Sequence, residues 1–241
     1  MNRGGPMDKI GYLEWWRTEY RRLWTAVSDV DLSRPVPSCP EWNVRDLVAH
    51  LEMVMDRYVL RLRSPLPPEG QSPPSDAADP RPGLERAAAE LAAALIRHDV
   101  GDVAWSWSPL PDTAWFWFRR AACEIAIHRW DAQKVEGTPE PVDRPLALAG
   151  VAEVFDSFLP AGRLMFPQAA NGRIRVSVVD SAAEWLIGWD QGQYAMDAGG
   201  EPDVTVGGSA SDLFLAFWGR IPMTTVDPIE RLDLLNALRI R

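Results

Sequence analysis

Ile10, Leu13, Trp16, Tyr20, Leu23, Trp24 and Val27 recur at steps of three and four. That spacing predicts an amphipathic helix over 9–30. The prolines of 31–40 break it. Asn43, with Asp46 three residues on, reads as a capping-box start, and a second helix follows to about Arg63. Residues 64–82 are dense in Pro, Ser, Gly and Asp and predict a loop. The alanine-rich stretch 84–97 predicts a third helix. Residues 100–112 are irregular, with Trp105 and Trp107 alternating. A fourth helix is predicted from about Thr113 to Val135. Four helices with one long connection predict an antiparallel four-helix bundle, a fold that builds metal sites in its core from facing helices.

Residues 136–145 form a linker by composition, and the texture then changes. A helix is expected over 146–159. Ile174, Val176 and Val178 alternate with Arg173, Arg175 and Ser177, which is strand periodicity. Further strands are expected at 184–190 and 193–197, separated by Asp190-Gln191-Gly192, and at 203–206, ended by Gly207-Gly208. Ser209 or Ser211 can cap a helix over 212–218, and a last helix is expected over 229–238. This half predicts an α+β domain, an antiparallel sheet with helices on one side. The expected domains are 1–140 and 141–241.

Composition narrows the function classes. Hydrophobic residues make up 46% of the 241, enough for a full core. A net charge of −9 argues against a nucleic-acid backbone or an anionic membrane as partner, because neither attracts an acidic protein. Small-molecule chemistry fits better. The two cysteines, Cys39 and Cys123, form no CxxC pair, which excludes a disulfide framework and a cysteine-rich zinc module and suits a reducing cytosol. Residues 1–7 are polar with no apolar run behind them, so no signal peptide is expected. The weakly polar run 145–154 is far shorter than the roughly 20 residues of a membrane span. The expected setting is cytoplasmic.

Chemistry concentrates in the two bundle segments that carry histidine. Glu124 and His128 lie four apart in a predicted helix, so they share a face. His50, one of three histidines in the chain, lies in the second helix. Two imidazoles and a carboxylate are the ligand set of an open catalytic divalent-metal site. The set suits zinc and tolerates nickel, iron or cobalt. Blander readings stand beside this one. His128 can be a satisfied core histidine, and Glu124 can pair with Arg120. Asp131 can accept a hydrogen bond from a ligand imidazole or be a solvated surface charge. Asp46 reads as a cap, Cys39 and Cys123 as small packing residues, and Trp117 as a pocket wall or core. His98, near the end of the third helix, reads as a partner for terminal carbonyls and the helix dipole.

The segments CPEWNVRDLVAHL (39–51), RRAACEIAIHRWDA (119–132) and DVTVGGSASDLFLAFWGRIP (203–222) resemble, in that order, the mycothiol-dependent maleylpyruvate isomerase family. The resemblance implies a DinB-like four-helix bundle followed by a sterol-carrier-protein-like α+β domain. It implies a zinc ion on His50, Glu124 and His128, with water or the thiol of mycothiol in the fourth position. It implies an actinobacterial cytoplasm, mycothiol being the low-molecular-weight thiol of those bacteria. It also suggests Arg220 as the residue that holds substrate, where a bland reading makes it a cation at a helix C-terminus. The sequence departs from the family at Cys123 and Ile125, where members often carry His and Thr; this leaves the metal ligands intact and the substrate open.

The sequence therefore reads as a metal-dependent enzyme that uses a thiol for isomerisation of, or transfer to, a small electrophile. The rival readings are a metal-dependent hydrolase without a thiol and a non-enzymatic small-molecule or lipid-binding protein. Substrate, physiological metal and oligomeric state stay open.

Overall fold

The computed structural model describes residues 8–67, 73–137, 139–163, 171–223, 226–227 and 232–240. The chain divides into two compact units at Val142/Asp143, with Ser108–Leu110 grouping with the second. No described helix is long and apolar enough to cross a membrane.

In the first unit each helix starts where the local chemistry satisfies its free N–H groups. Helix α1 (Lys9–Val27) is capped by Asp8, whose carboxylate accepts from Gly11 N–H at 2.9 Å. It ends before residue 30, the expected limit, because Asp31 accepts from the N–H and hydroxyl of Ser33 and stabilises a turn. Helix α2 (Val44–Leu62) carries the predicted capping box: Asn43 accepts from Asp46 N–H and Asp46 accepts from Asn43 N–H. Helix α3 (Arg81–Arg97) starts earlier than the expected 84. Pro82 sits in its first turn, where a missing N–H costs nothing. Helix α4 (Ala114–Glu136) follows Thr113 and stops at Gly137, whose φ of 157° suits glycine.

Helix α1 packs on α4 and α3, and α2 packs on α3 and α4, so all four enclose one core. Leu23, Leu47, Leu51, Leu84, Phe116 and Trp117 are fully buried there. Helix α4 is the central element, buried on nearly every side. Its Arg129 is 0% exposed and Glu19 of α1 is 2% exposed, and the guanidinium Nε donates to Glu19 Oε2 at 2.6 Å. The same guanidinium donates to Gln133 Oε1 and to the carbonyls of Glu140 and Pro141, tying the segment after α4 to the bundle.

The second unit opens with α5 (Arg144–Glu153), which runs on into a π-helical turn at Val154–Phe158. Strands β1 (Gly172–Val178), β2 (Glu184–Asp190), β3 (Gln193–Met196), β4 (Val204–Gly208) and β5 (Val226–Asp227) form one sheet in the order β3-β2-β1-β4-β5. Helices α6 (Ala210–Phe217) and α7 (Leu232–Asn236) complete it. The β2–β3 turn has φ of 48° at Gln191 and 79° at Gly192, the paired left-handed geometry of a tight hairpin. Ser209 is the cap of α6, accepting from Asp212 N–H at 3.1 Å. Helix α5 lies against α6, and a Cβ at Gly150 would stand 2.2 Å from the Phe214 ring, so only glycine allows that approach.

Three details differ from expectation. The sheet is antiparallel at β1–β2, β2–β3 and β4–β5 but parallel at β1–β4. Alternation identifies the buried face of a strand but carries no information on direction. Gly207 and Gly208 do not end β4; they pair with Ser177 and Val178 of β1. The two-residue β5 has too little pattern to be read from sequence. Of the last expected helix, 232–236 is helical and 229–231 lies outside the described residues.

The buried Glu19–Arg129 pair generates a stability prediction. Glu19→Gln leaves the Arg129 charge uncompensated in the core, and it is expected to lower unfolding stability by about 3–5 kcal/mol in urea titrations. A loss under about 1 kcal/mol, the range of exposed pairs, would contradict the burial of this charge.

Candidate metal centre

Helices α2 and α4 bring His50, Glu124 and His128 together. One ligand atom from each lies within 4.8 Å of the other two. His50 Nε2 is 3.2 Å from Glu124 Oε1, and His128 Nε2 is 3.3 Å from the same oxygen. The two imidazoles stand edge to face with centroids 4.9 Å apart. The capping box fixes the first turn of α2, and with it the direction of His50 one turn later. The side chains of His50, Glu124 and His128 are 23%, 14% and 6% exposed, so access to the cluster is from the His50 edge.

Each ligand atom is oriented by a further contact. Arg120, one turn before Glu124, donates from Nη2 to Glu124 Oε2 at 2.6 Å. That leaves Oε1 to face the two imidazoles. Asp131, 0% exposed, accepts from His128 Nδ1–H at 2.9 Å, which directs Nε2 of that ring at the cluster. Ser38 donates to the other Asp131 oxygen at 2.6 Å. Trp42 covers both rings, its centroid 4.8 Å from His50 and 5.9 Å from His128. Ser38 and Trp42 belong to the connection between α1 and α2, held in shape by bonds from Val36 N–H to Trp42 O and from Trp42 N–H to Cys39 O.

The electrostatics follow from these contacts. Burial opposes ionisation of Glu124, but the Arg120 charge and the bonds from His128 and His50 outweigh it and hold the carboxyl well below its usual range. Burial also opposes charging of His128; the Asp131 and Glu124 carboxylates overcome it and raise its pKa. At His50 burial wins over the Glu124 bond, and the positive charges of His128 and Arg57 add to the lowering. The cluster thus holds a carboxylate anion and an imidazole that stays neutral at ordinary pH. The donor set is two nitrogens and one oxygen converging on one point, which fits a divalent ion with a fourth position left open.

Glu124 pairs with Arg120, as its bland reading had it, and presents its other oxygen to the two histidines. Asp131 is buried against His128, which corrects the solvated-charge reading. Asp46 is spent on its cap. Cys123 is buried, and the Cys39 thiol lies 3.7 Å from Asp131 Oδ2. Trp117 is core: it is 2% exposed, rests on Tyr58 and donates to Trp105 O at 2.9 Å. His98 caps α3 differently from expectation. Its Nδ1 lies 3.2 Å from Asp102 Oδ2, and the late carbonyl of Ile96 is taken by Lys9 Nζ. Arg220 belongs to the second unit, where its Nη1 donates to Trp218 O at 2.8 Å. Ser38 and Trp42 are the partners that sequence reading missed. Their signal was proximity to the Asn43 cap, which places the preceding loop over the first turns of α2.

The family model described as "Mycothiol maleylpyruvate isomerase N-terminal domain" matches residues 13–133. Two solved structures resemble the whole chain. One, "Crystal structure of the mycothiol-dependent maleylpyruvate isomerase", has a TM-score of 0.65 at 15% identity and covers 92% of this chain and 93% of that one. The other is a mutant of the same isomerase with one histidine replaced by alanine, with a TM-score of 0.62 at 16% identity and the same coverage. At such identity they speak for the fold alone, a helical bundle followed by an α+β unit. No curated protein matches the chain. With half of its length matched by that one model, and the bundle and sheet in the same order, the chain belongs to the mycothiol maleylpyruvate isomerase N-terminal domain family.

Proposed function

We propose that the bundle holds a divalent metal ion, zinc by preference, on His50, Glu124 and His128, and that the protein is an enzyme acting through it. The reaction is isomerisation of, or transfer to, a small electrophilic molecule with a low-molecular-weight thiol, mycothiol, as cofactor. The observation that carries this reading is the convergence of three ligand atoms within 4.8 Å, with Glu124 and His128 each held by a further bond and His50 packed under Trp42. When bound, such an ion supplies a Lewis acid that keeps a thiol as its thiolate. The chain's own groups do the rest. Asp131 holds the Nδ1 proton of His128 and leaves Nε2 free to ligate once its own proton is gone. Arg120 occupies one Glu124 oxygen and limits that carboxylate to a single ligand atom. Trp42 walls the imidazoles and excludes water from that side. We assign substrate holding to Arg220 on the strength of the family resemblance. Two cysteines that form no CxxC pair and a net charge of −9 suit a reducing, cytoplasmic setting.

Metal analysis tests the reading. The purified protein is expected to carry one equivalent of metal, and His50→Ala is expected to lose most of it while remaining folded by circular dichroism. In the Co²⁺ form, added mycothiol is expected to give a thiolate-to-cobalt charge-transfer band. Metal content at background in the wild type, or unchanged in His50→Ala, would sink the proposal. A metal-replete protein without the band would instead favour hydrolysis without a thiol.

The bonds behind His128 generate a second expectation. Asp131→Asn is expected to weaken metal affinity about 10–100-fold, measured by chelator competition. Ser38→Ala is expected to weaken it less, because Asp131 keeps its bond from His128. Unchanged affinity in Asp131→Asn would show that His128 does not ligate through Nε2.

A further inference from the structure

Helix α2 carries charges that its own neighbours do not neutralise. Two of its acids, Glu52 and Asp56, are committed to Arg86 of α3, at 3.2 and 2.7 Å, and the third, Asp46, to the cap. Its arginines on the other face are left over. Arg57 lies seven residues after His50, two turns along and within about 20° of the same direction, with a rise of roughly 10 Å that a long side chain can span. Arg57 is half-buried, and its one described side-chain contact is Nη2 to the sulfur of Met53 at 3.3 Å, a weak acceptor. Arg61 follows one turn later and stacks over the Trp105 ring at 5.2 Å. Neither guanidinium has a carboxylate in salt-bridge range among the described residues. Like charges at this spacing destabilise a helix, and both are partly withdrawn from water. Across from them, Arg120 of α4 is already held by Glu124. A local cationic excess beside the His50 edge, in a chain of net charge −9, points to an anionic visitor.

We propose that Arg57, reinforced by Arg61, is the anion-gripping residue of the bundle and receives a carboxylate of the small-molecule substrate as it enters beside His50. A guanidinium fork matches a carboxylate with two parallel N–H···O bonds, and Met53 holds the fork without competing for it. The assignment deepens the proposed function by naming the bundle residues that meet the substrate. It rests on that reading for the chemistry alone, since the grip itself needs no metal.

The test uses the full chain and isothermal titration with succinate, a small dicarboxylate, and with its neutral analogue succinamide. Wild-type protein is expected to bind succinate and to ignore succinamide. Arg57→Gln is expected to weaken succinate binding at least about tenfold, the loss of one charged hydrogen-bonding partner, with Arg57→Lys in between. Both variants are expected to keep wild-type metal content and circular dichroism. Equal succinate affinity in wild type and Arg57→Gln, or no binding by wild type, overturns the assignment. The two proposals fail separately. Loss of succinate binding in Arg57→Gln on a metal-free protein upholds the grip and removes the metal. A metal-replete protein whose succinate binding ignores Arg57 does the reverse.

Discussion

Glu124 carries a negative charge inside the bundle, and its two oxygens are committed to different partners. One is held by the Arg120 guanidinium at 2.6 Å and the other lies between the imidazoles of His50 and His128. A buried carboxylate is costly unless it is paired and hydrogen-bonded. Here the pairing comes from the same helix, one turn earlier, so it forms whenever α4 forms. The core around Glu124 can then remain apolar, with Trp16, Leu51, Met55 and Ile125 behind it. The compensation also has a direction: it leaves one oxygen aimed at the place where α2 presents His50.

That arrangement explains why α4 is buried on nearly all sides and yet rich in charge. Arg120, His128, Arg129 and Asp131 lie in the core with Glu124 at its edge, and the described contacts give each a partner of opposite sign or a hydrogen bond. The α1–α2 connection closes the same region, with Ser38 on Asp131 and Trp42 on the two rings. The bundle thus supplies both the ligand atoms and the groups that orient them, and rigid orientation is what distinguishes a working metal site from a chance cluster.

Much of this was legible in the sequence, for identifiable reasons. The helices declared themselves through period and caps, as at Asn43 and Asp46. The pair Glu124 and His128 was legible because helical spacing is a local property. That His50 would meet them was not, because spacing within one helix says nothing about which helix faces it; the motif resemblance supplied that link. Asp131 stayed ambiguous because burial is decided by neighbours far away in sequence, here Ser38. The parallel β1–β4 pairing and the two-residue β5 escaped for the same reason, since pairing partners leave no trace in local alternation. Pro82 misled because proline reads as a breaker everywhere except in a first turn.

Absorption spectroscopy at the zinc edge looks at the proposed centre itself. The resting protein should show two imidazole nitrogens at about 2.0–2.1 Å and oxygen at about 2.0–2.2 Å, with no sulfur; added thiol should bring in one sulfur at about 2.3 Å. A resting shell containing cysteine sulfur, or one of oxygens alone without imidazole scattering, would contradict a centre built on His50, Glu124 and His128.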